Sequence, residues 1–501
     1  MSTGPGADSA PAPKNPANPG SPGSPGISGP PGTPGAAGPA GTPGPPGTAG
    51  PPGTPASAAA SAPAVTAGRT RGGGTFRSLR IRNYRLFATG AMISNTGTWM
   101  SRIAQDWLVL SLTGSSTAVG ITTALQFLPM LLFGLYGGVI ADRCPRRRLL
   151  LFTQTALGLC GLALAALTLS GHVQVWHVYL IAFLLGMVTV VDNPTRQVFV
   201  NEMVGPKDLR NAVSLNSANF QSARLIGPAV AGVLITAVGS GWAFLINGVS
   251  FGAPIIGLLL MRTSELHKVE RAPRGKGQLR EGLRYVAGNP DLIWPIVLVG
   301  FIGTFGFNFP IWLSAFADGV FHAGPGTYGL LNTLIAIGSV TGALLAARRV
   351  VARRRLLVGA ALMFGVLEMV AAATPYFWLF AALMVPIGIF SLTFNVTANS
   401  SVQLATDPAM RGRVMSLFMM VFVGGTPIGG PLVGWVTDTC GARIGFAAGG
   451  LISAAAAAAV GLILVRVGGL RLKLNLRRGH PHVIFVPRTP ETEEKPLAAT
   501  A

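Results

Sequence analysis

From Leu86 to Val467 the chain is a succession of apolar runs parted by short polar connections, most runs near the ~20 residues that a helix needs to cross a hydrocarbon core. Few folds are open to such a pattern. In lipid every backbone N–H and C=O must be paired internally, and a helix pairs them within its own segment. The runs fall at 86–111, 117–140, 149–170, 176–193, 212–237 and 241–261, and again at 291–316, 326–347, 356–373, 376–399, 412–436 and 444–466. The expected fold is an all-α membrane protein with twelve transmembrane helices in two six-helix pseudo-symmetric halves. Composition agrees, because 50% apolar and only 11% charged residues leave too little charge for a surface facing water.

The net charge of +21 would suggest nucleic acid in a soluble protein. Here the arginines and lysines sit between apolar runs, where anionic headgroups compensate them, so no nucleic-acid partner is expected. Cys144, Cys160 and Cys440 have no metal-binding or CxxC spacing, and no metal or cofactor is expected.

Composition shifts divide the chain into a tail at 1–68, a first half at 69–261, a charged linker at 262–290 with a short surface helix near Leu279–Val286, a second half at 291–467 and a basic tail at 468–501 that is expected to be ordered only in part. The first tail is Pro, Gly, Ala, Ser and Thr with too little apolar mass to offset ordering entropy, and is expected to be disordered. Glycine occupies every third position from Gly20 to Gly53, the spacing of a collagen triple helix; a monomeric low-complexity segment is the simpler reading.

Basic residues fall in alternate connections: Arg143 with Arg146–Arg148, then Arg196, Lys207 and Arg210, then the linker, then Arg348, Arg349 and Arg353–Arg355, then Arg411 and Arg413. The intervening connections carry none except Arg443. Short basic loops stay inside, so both termini are expected in the cytoplasm of a plasma-membrane protein.

An internal duplication supports two halves. Arg146-Arg147-Arg148-Leu149-Leu150 returns as Arg353-Arg354-Arg355-Leu356-Leu357, Gly227-Pro228 as Gly430-Pro431, and Arg210 with Val213 as Arg411 with Val414. Their order and their places relative to the helices match.

Gly138-Val139-Ile140-Ala141-Asp142-Arg143-Cys144-Pro145-Arg146-Arg147 resembles the loop signature of the major facilitator superfamily, with Pro145 where the family has Gly. Ser94-Asn95-Thr96-Gly97, Asp192-Asn193-Pro194-Thr195-Arg196-Gln197 and Arg224-Leu225-Ile226-Gly227-Pro228 look like the branch that holds the enterobactin exporter and macrolide efflux carriers. The resemblance implies a major facilitator fold and a conformational clamp on the cytoplasmic side at Gly138, Asp142, Arg143 and Arg147. It also implies an antiporter-like packing motif at Gly227, Pro228 and Gly232, echoed by Gly430 and Pro431, although Ala231 replaces one of the family's glycines.

Ionisable residues inside apolar runs are costly and mark function. Asn95, Arg102, Gln105 and Asp106 lie on a polar stripe of the first helix, and Arg102 and Asp106 are spaced i,i+4 for an ion pair. That stripe faces either a cavity or a solvated vestibule. Arg224, in the fifth run, either binds an anionic substrate or pairs with Asp106. Glu368 either pairs locally or meets lipid protonated, and Asp192 with Arg196 reads as a gate or topology contact. The expected function is secondary transport, with proton-coupled efflux of an amphipathic small molecule (drug, macrolide or siderophore-like) leading and a lysophospholipid or nutrient as alternative cargo. A monomer is expected, and no nucleophile elbow or phosphate loop suggests an enzyme.

Overall fold

The computed structural model describes residues 76–267, 278–347, 354–467, 470–475 and 482–487. The Gly20–Gly53 repeat and the rest of the first tail, the arginines Arg348, Arg349 and Arg353, and the chain after 487 lie outside the described residues. The helices are α1 (Arg82–Thr113), α2 (Ser116–Arg143), α3 (Arg146–Leu169), α4 (Val175–Val238), α5 (Ser240–Ser250), α6 (Gly252–Leu259), α7 (Gln278–Ala287), α8 (Pro290–Phe301), α9 (Phe309–Ala315), α10 (Pro325–Ala347), α11 (Arg354–Ala373), α12 (Phe377–Ala405), α13 (Arg411–Gly424), α14 (Thr426–Cys440) and α15 (Ala442–Val467). The surface helix expected in the linker is α7.

Ten segments among the described residues are long and apolar enough to cross a bilayer. One of them, α4, runs for 64 residues and is broken at Gly205, whose φ of 65° and ψ of 176° are non-helical. Gly205 is followed by Pro206, which cannot donate a backbone hydrogen bond, so the pair ends one arm and starts another. The expected loop from 194 to 211 is thus helical on both sides of a single kink. The reason is packing: Asp192, Thr195 and Phe199 are buried, and the helix continues past the apolar run to bury them. The 32-residue α1 is long enough to span but is not among the ten, because its polar stripe lowers its hydropathy.

The segment from Pro290 to Val320 is one span built of α8 and α9 with π-helical turns at Ile302–Gly306 and Phe316–Val320. Such turns widen a helix and re-aim side chains. The deepest packing is aromatic: Phe316 stacks on Phe380 with ring centroids 4.4 Å apart, and Trp312 meets Phe446 at 4.9 Å. On the outside, Phe152, Trp176, Val233 and Trp378 are exposed, as a lipid-facing surface requires. The chain beyond α15 departs from the all-helical pattern: β1 (Leu470–Asn475) and β2 (His482–Pro487) pair antiparallel, with Leu470 opposite Pro487.

Glycine stripes set where the helices of residues 82–259 meet those of residues 290–467. A Cβ at Gly120 of α2 would collide with the carbonyl oxygen of Gly430 in α14, and one at Gly434 would lie 2.6 Å from that of Ser116. On the other flank, a Cβ at Gly329 of α10 would lie 2.7 Å from Cα of Gly232 in α4. Both crossings therefore need bare backbone.

Candidate functional site

A cavity of about 250 Å³ lies between the two sets of helices. Its polar wall comes from α1, α2, α4 and α10 through Arg102, Asp106, Gln126, Arg224 and Asn332, with Asn308 just before α9. Its apolar wall is aromatic, with Trp99, Phe127, Phe307, Phe309 and Phe422. The π turn at Ile302–Gly306 brings Gly303 and the following Phe307 to the cavity edge. A larger apolar groove of about 530 Å³ between α4 and α10, lined by Gly232, Val233, Thr236 and Leu330, has no charged side chain on its wall.

The helical spacing of α1 explains why Trp99, Arg102 and Asp106 share this wall, since residues three and four apart stand above one another. The Arg102–Asp106 ion pair suggested by that spacing is not formed within ion-pair distance. Asp106 is buried and its Oδ2 accepts a hydrogen bond from the Tyr328 hydroxyl of α10 at 2.8 Å. The Tyr328 ring in turn stacks on Trp107, with centroids 6.3 Å apart. Arg102 lies over the Trp99 ring at 5.0 Å and over Phe127 at 5.9 Å, while Arg224 lies over Trp99 at 5.7 Å. One indole therefore carries two guanidiniums, and Arg224 does not pair with Asp106. Asn95 and Gln105 are not among the lining residues; Gln105 is buried with its Nε2 unpartnered.

Gly138, Asp142 and Arg143 sit at the basic-loop end of α2, half-buried, half-buried and exposed respectively. Arg147 turns inward within its own set of helices: its Nε donates to the Leu258 carbonyl at 2.7 Å and its Nη2 to that of Leu259 at 3.1 Å. These are the last carbonyls of α6, where a cation offsets the negative end of the helix dipole. Arg146 pairs with Glu202 of α4. Asp192 accepts from Thr153 at 2.6 Å, from Gln154 at 2.7 Å and from Arg196 at 2.5 Å. The Asp192–Arg196 pair therefore ties α3 to α4 and makes no gate between the helix sets.

Gly227 packs on Trp99 of α1, where a Cβ would lie 2.5 Å from the Trp99 Cβ, and Pro228 joins the cavity wall. Gly232, Gly430 and Pro431 serve the two crossings already described. Glu368 of α11 meets neither expectation: it is wholly buried beside Gly450 of α15, with both oxygens unpartnered and no access to lipid.

Two residues that the sequence did not single out hold the ends of this arrangement. Tyr328 is one. The other is Asp438 of α14, which accepts from the Ser116 and Thr117 backbone N–H groups at 2.7 and 2.9 Å and from the Ser115 and Thr117 hydroxyls at 2.6 and 2.7 Å. A carboxylate from one helix thus caps the N-terminus of another at the end remote from the basic loops. The available signal was an acidic residue near the end of an apolar run, five residues before Arg443.

Residues 73–476 match a family described as transmembrane secretion effectors. The chain is 26% identical over 407 residues to the multidrug efflux pump Tap of Mycobacterium tuberculosis, covering 77% of this chain and 93% of that protein. It is 24% identical over 398 residues to the enterobactin exporter EntS of Citrobacter koseri, covering 77% and 92%. Among solved structures, an inward-facing, unoccupied bacterial homologue of the human lysosomal transporter Spinster superposes with a TM-score of 0.60 at 16% identity, covering 78% of this chain and 96% of that one.

Proposed function

The chain belongs to the transmembrane secretion effector family of the major facilitator superfamily, multi-pass membrane transporters, and from that membership we propose that it is a proton-coupled exporter of amphipathic small molecules. The observation that carries the reading is the cavity walled by aromatic rings and by Arg102, Asp106 and Arg224, with both sets of helices contributing. The Tap and EntS likenesses support outward movement of the cargo.

Twelve crossings follow if the broken α4 spans twice and α1 spans with its polar stripe toward the cavity, added to the other apolar helices. They group as two halves of six, joined by the linker at 262–290, in a plasma membrane with both termini inside. Rocking of one half against the other would expose the cavity to each side in turn. Glycine crossings at α2–α14 and α4–α10 close the end remote from the basic loops, and the loop of Asp142 and Arg143 would close the opposite end in the alternate state.

Asp106 fits the coupling role because it belongs to one half and is bonded to Tyr328 of the other. Protonating it changes the cavity by one charge. At an effective dielectric near 20, a charge about 6 Å away feels that change as about 3 kcal/mol, enough to shift binding or a conformational equilibrium roughly a hundredfold. In cells expressing the protein, a fluorescent amphipathic dye should accumulate less than in control cells. A protonophore should abolish the difference, and Asp106→Asn should remove most of it at equal expression. Dye levels equal to the control in every arm would remove the export reading, and normal export by Asp106→Asn would move coupling to another group.

A further inference from the structure

We propose that the cavity is an anion site: its cargo carries a carboxylate, or another compact negative group, on an aromatic or apolar body. The inference rests on the transport reading for the word cargo, and on the cavity alone for the charge.

Two guanidiniums line the cavity against one carboxylate, so a positive charge stands in excess. The carboxylate is not available to neutralise either arginine at contact distance, since no described ion pair includes Arg102 or Arg224, and Asp106 is taken up by Tyr328. What the arginines have is the Trp99 ring, which both face, and for Arg102 also Phe127. A ring face holds a guanidinium in place and leaves its edge donors free, because cation–π contact uses the plane of the fork and not its N–H bonds. Edge donors of a held guanidinium bind carboxylate, sulfonate or phosphate oxygens in pairs. A buried cation without a counter-ion is a costly arrangement in a membrane protein, and a ligand anion relieves it. A cationic ligand would meet two like charges and only one carboxylate, already bonded. The body of the ligand follows from the opposite wall, where Phe307, Phe309 and Phe422 offer flat apolar surface. A space of about 250 Å³ suits a two-ring group in the closed cavity.

Three probes of one shape separate the charges: 2-naphthoate, its neutral amide 2-naphthamide, and the cation 2-naphthylmethylammonium, each radiolabelled. Equilibrium binding to the purified full-length protein should favour the carboxylate over the amide by about tenfold and over the ammonium by more, the scale of one charge-assisted hydrogen-bonded contact. Arg224→Gln and Arg102→Gln should each reduce the carboxylate to the level of the amide, while Arg224→Lys retains part of the preference. Unchanged amide binding in these variants reports that the cavity is still formed; where Arg102→Gln lacks it, the Arg224 pair decides. Equal binding of all three probes, preference for the ammonium, or no binding at all would overturn the anion site. Counterflow of bound 2-naphthoate in proteoliposomes is read separately: binding with the expected charge order but no counterflow would leave the anion site standing and sink transport.

Discussion

Asp106 and Tyr328 are 222 residues apart and share one hydrogen bond between α1 and α10. Removing the hydroxyl leaves a buried carboxylate without a donor, whereas Asp106→Asn leaves Tyr328 an amide oxygen to donate to. Tyr328→Phe should therefore lower stability in detergent by about 1–3 kcal/mol and Asp106→Asn by less, measured as a shift in thermal or denaturant midpoint. The double variant should fall short of the sum of the two, since one interaction is lost only once. At this scale the sequence was readable for ionisable residues and blind to their partners. Arg102, Asp106 and Arg224 stood out because charge in an apolar run is rare, and all three line the cavity. Tyr328 is one apolar-looking residue in an apolar helix, and nothing local ties it to Asp106. Asn95 and Gln105 shared a stripe with Arg102 and Asp106, but a face defined by helical period covers more surface than the cavity does.

The helices place these side chains only because small residues let their backbones approach. Gly329 of α10 has the Cα of Gly232 and the carbonyl of Pro228 within 2.7 Å of where a Cβ would stand, both backbone atoms that cannot swing away. Gly329→Val should hold α10 off α4 and lower export at least tenfold at equal membrane abundance, measured as dye efflux. Gly359→Ala in α11, where nothing lies within 4 Å of the new Cβ, should leave efflux unchanged. Normal efflux by Gly329→Val would deny the crossing its role. The Gly-Pro pairs that repeat between α4 and α14 were visible in the sequence, and both lie on helices that form such crossings. Less was visible where local pattern and packing disagree. The chain from 194 to 211 reads as a polar loop, but Thr195, Phe199, Val200, Met203 and Val204 within it are buried, so the helix runs on to Gly205. Leu470-Arg471-Leu472-Lys473-Leu474-Asn475 alternates with the period of a strand and pairs with residues 482–487, a signal hidden by reading the segment only for its charge.

Across the whole molecule, alternation needs the contacts at one end to be strong enough to hold and weak enough to break. The Asp438 carboxylate fastened to the first turn of α2 has those properties: four charge-assisted hydrogen bonds, two from backbone N–H groups and two from hydroxyls, near the surface and with no covalent element. It joins α14 to α2, so opening that end must release it. Asp438→Asn removes the charge that favours a helix N-terminus and replaces one acceptor oxygen with an NH2 donor that faces N–H or O–H groups. The closed form should lose about 1–3 kcal/mol, moving the two-state balance roughly ten- to a hundredfold toward opening at that end. A stronger test fixes the contact. In a background with Cys144, Cys160 and Cys440 replaced by serine, a short thiol-specific reducible cross-linker placed between Thr117→Cys and Asp438→Cys should stop dye efflux, and reduction should restore it. Each single-cysteine variant treated alike should keep the efflux it had before treatment. Efflux that continues with the pair fully cross-linked would mean that α2 and α14 stay together throughout the cycle, and the opening movement would then have to be sought on the α4–α10 flank alone.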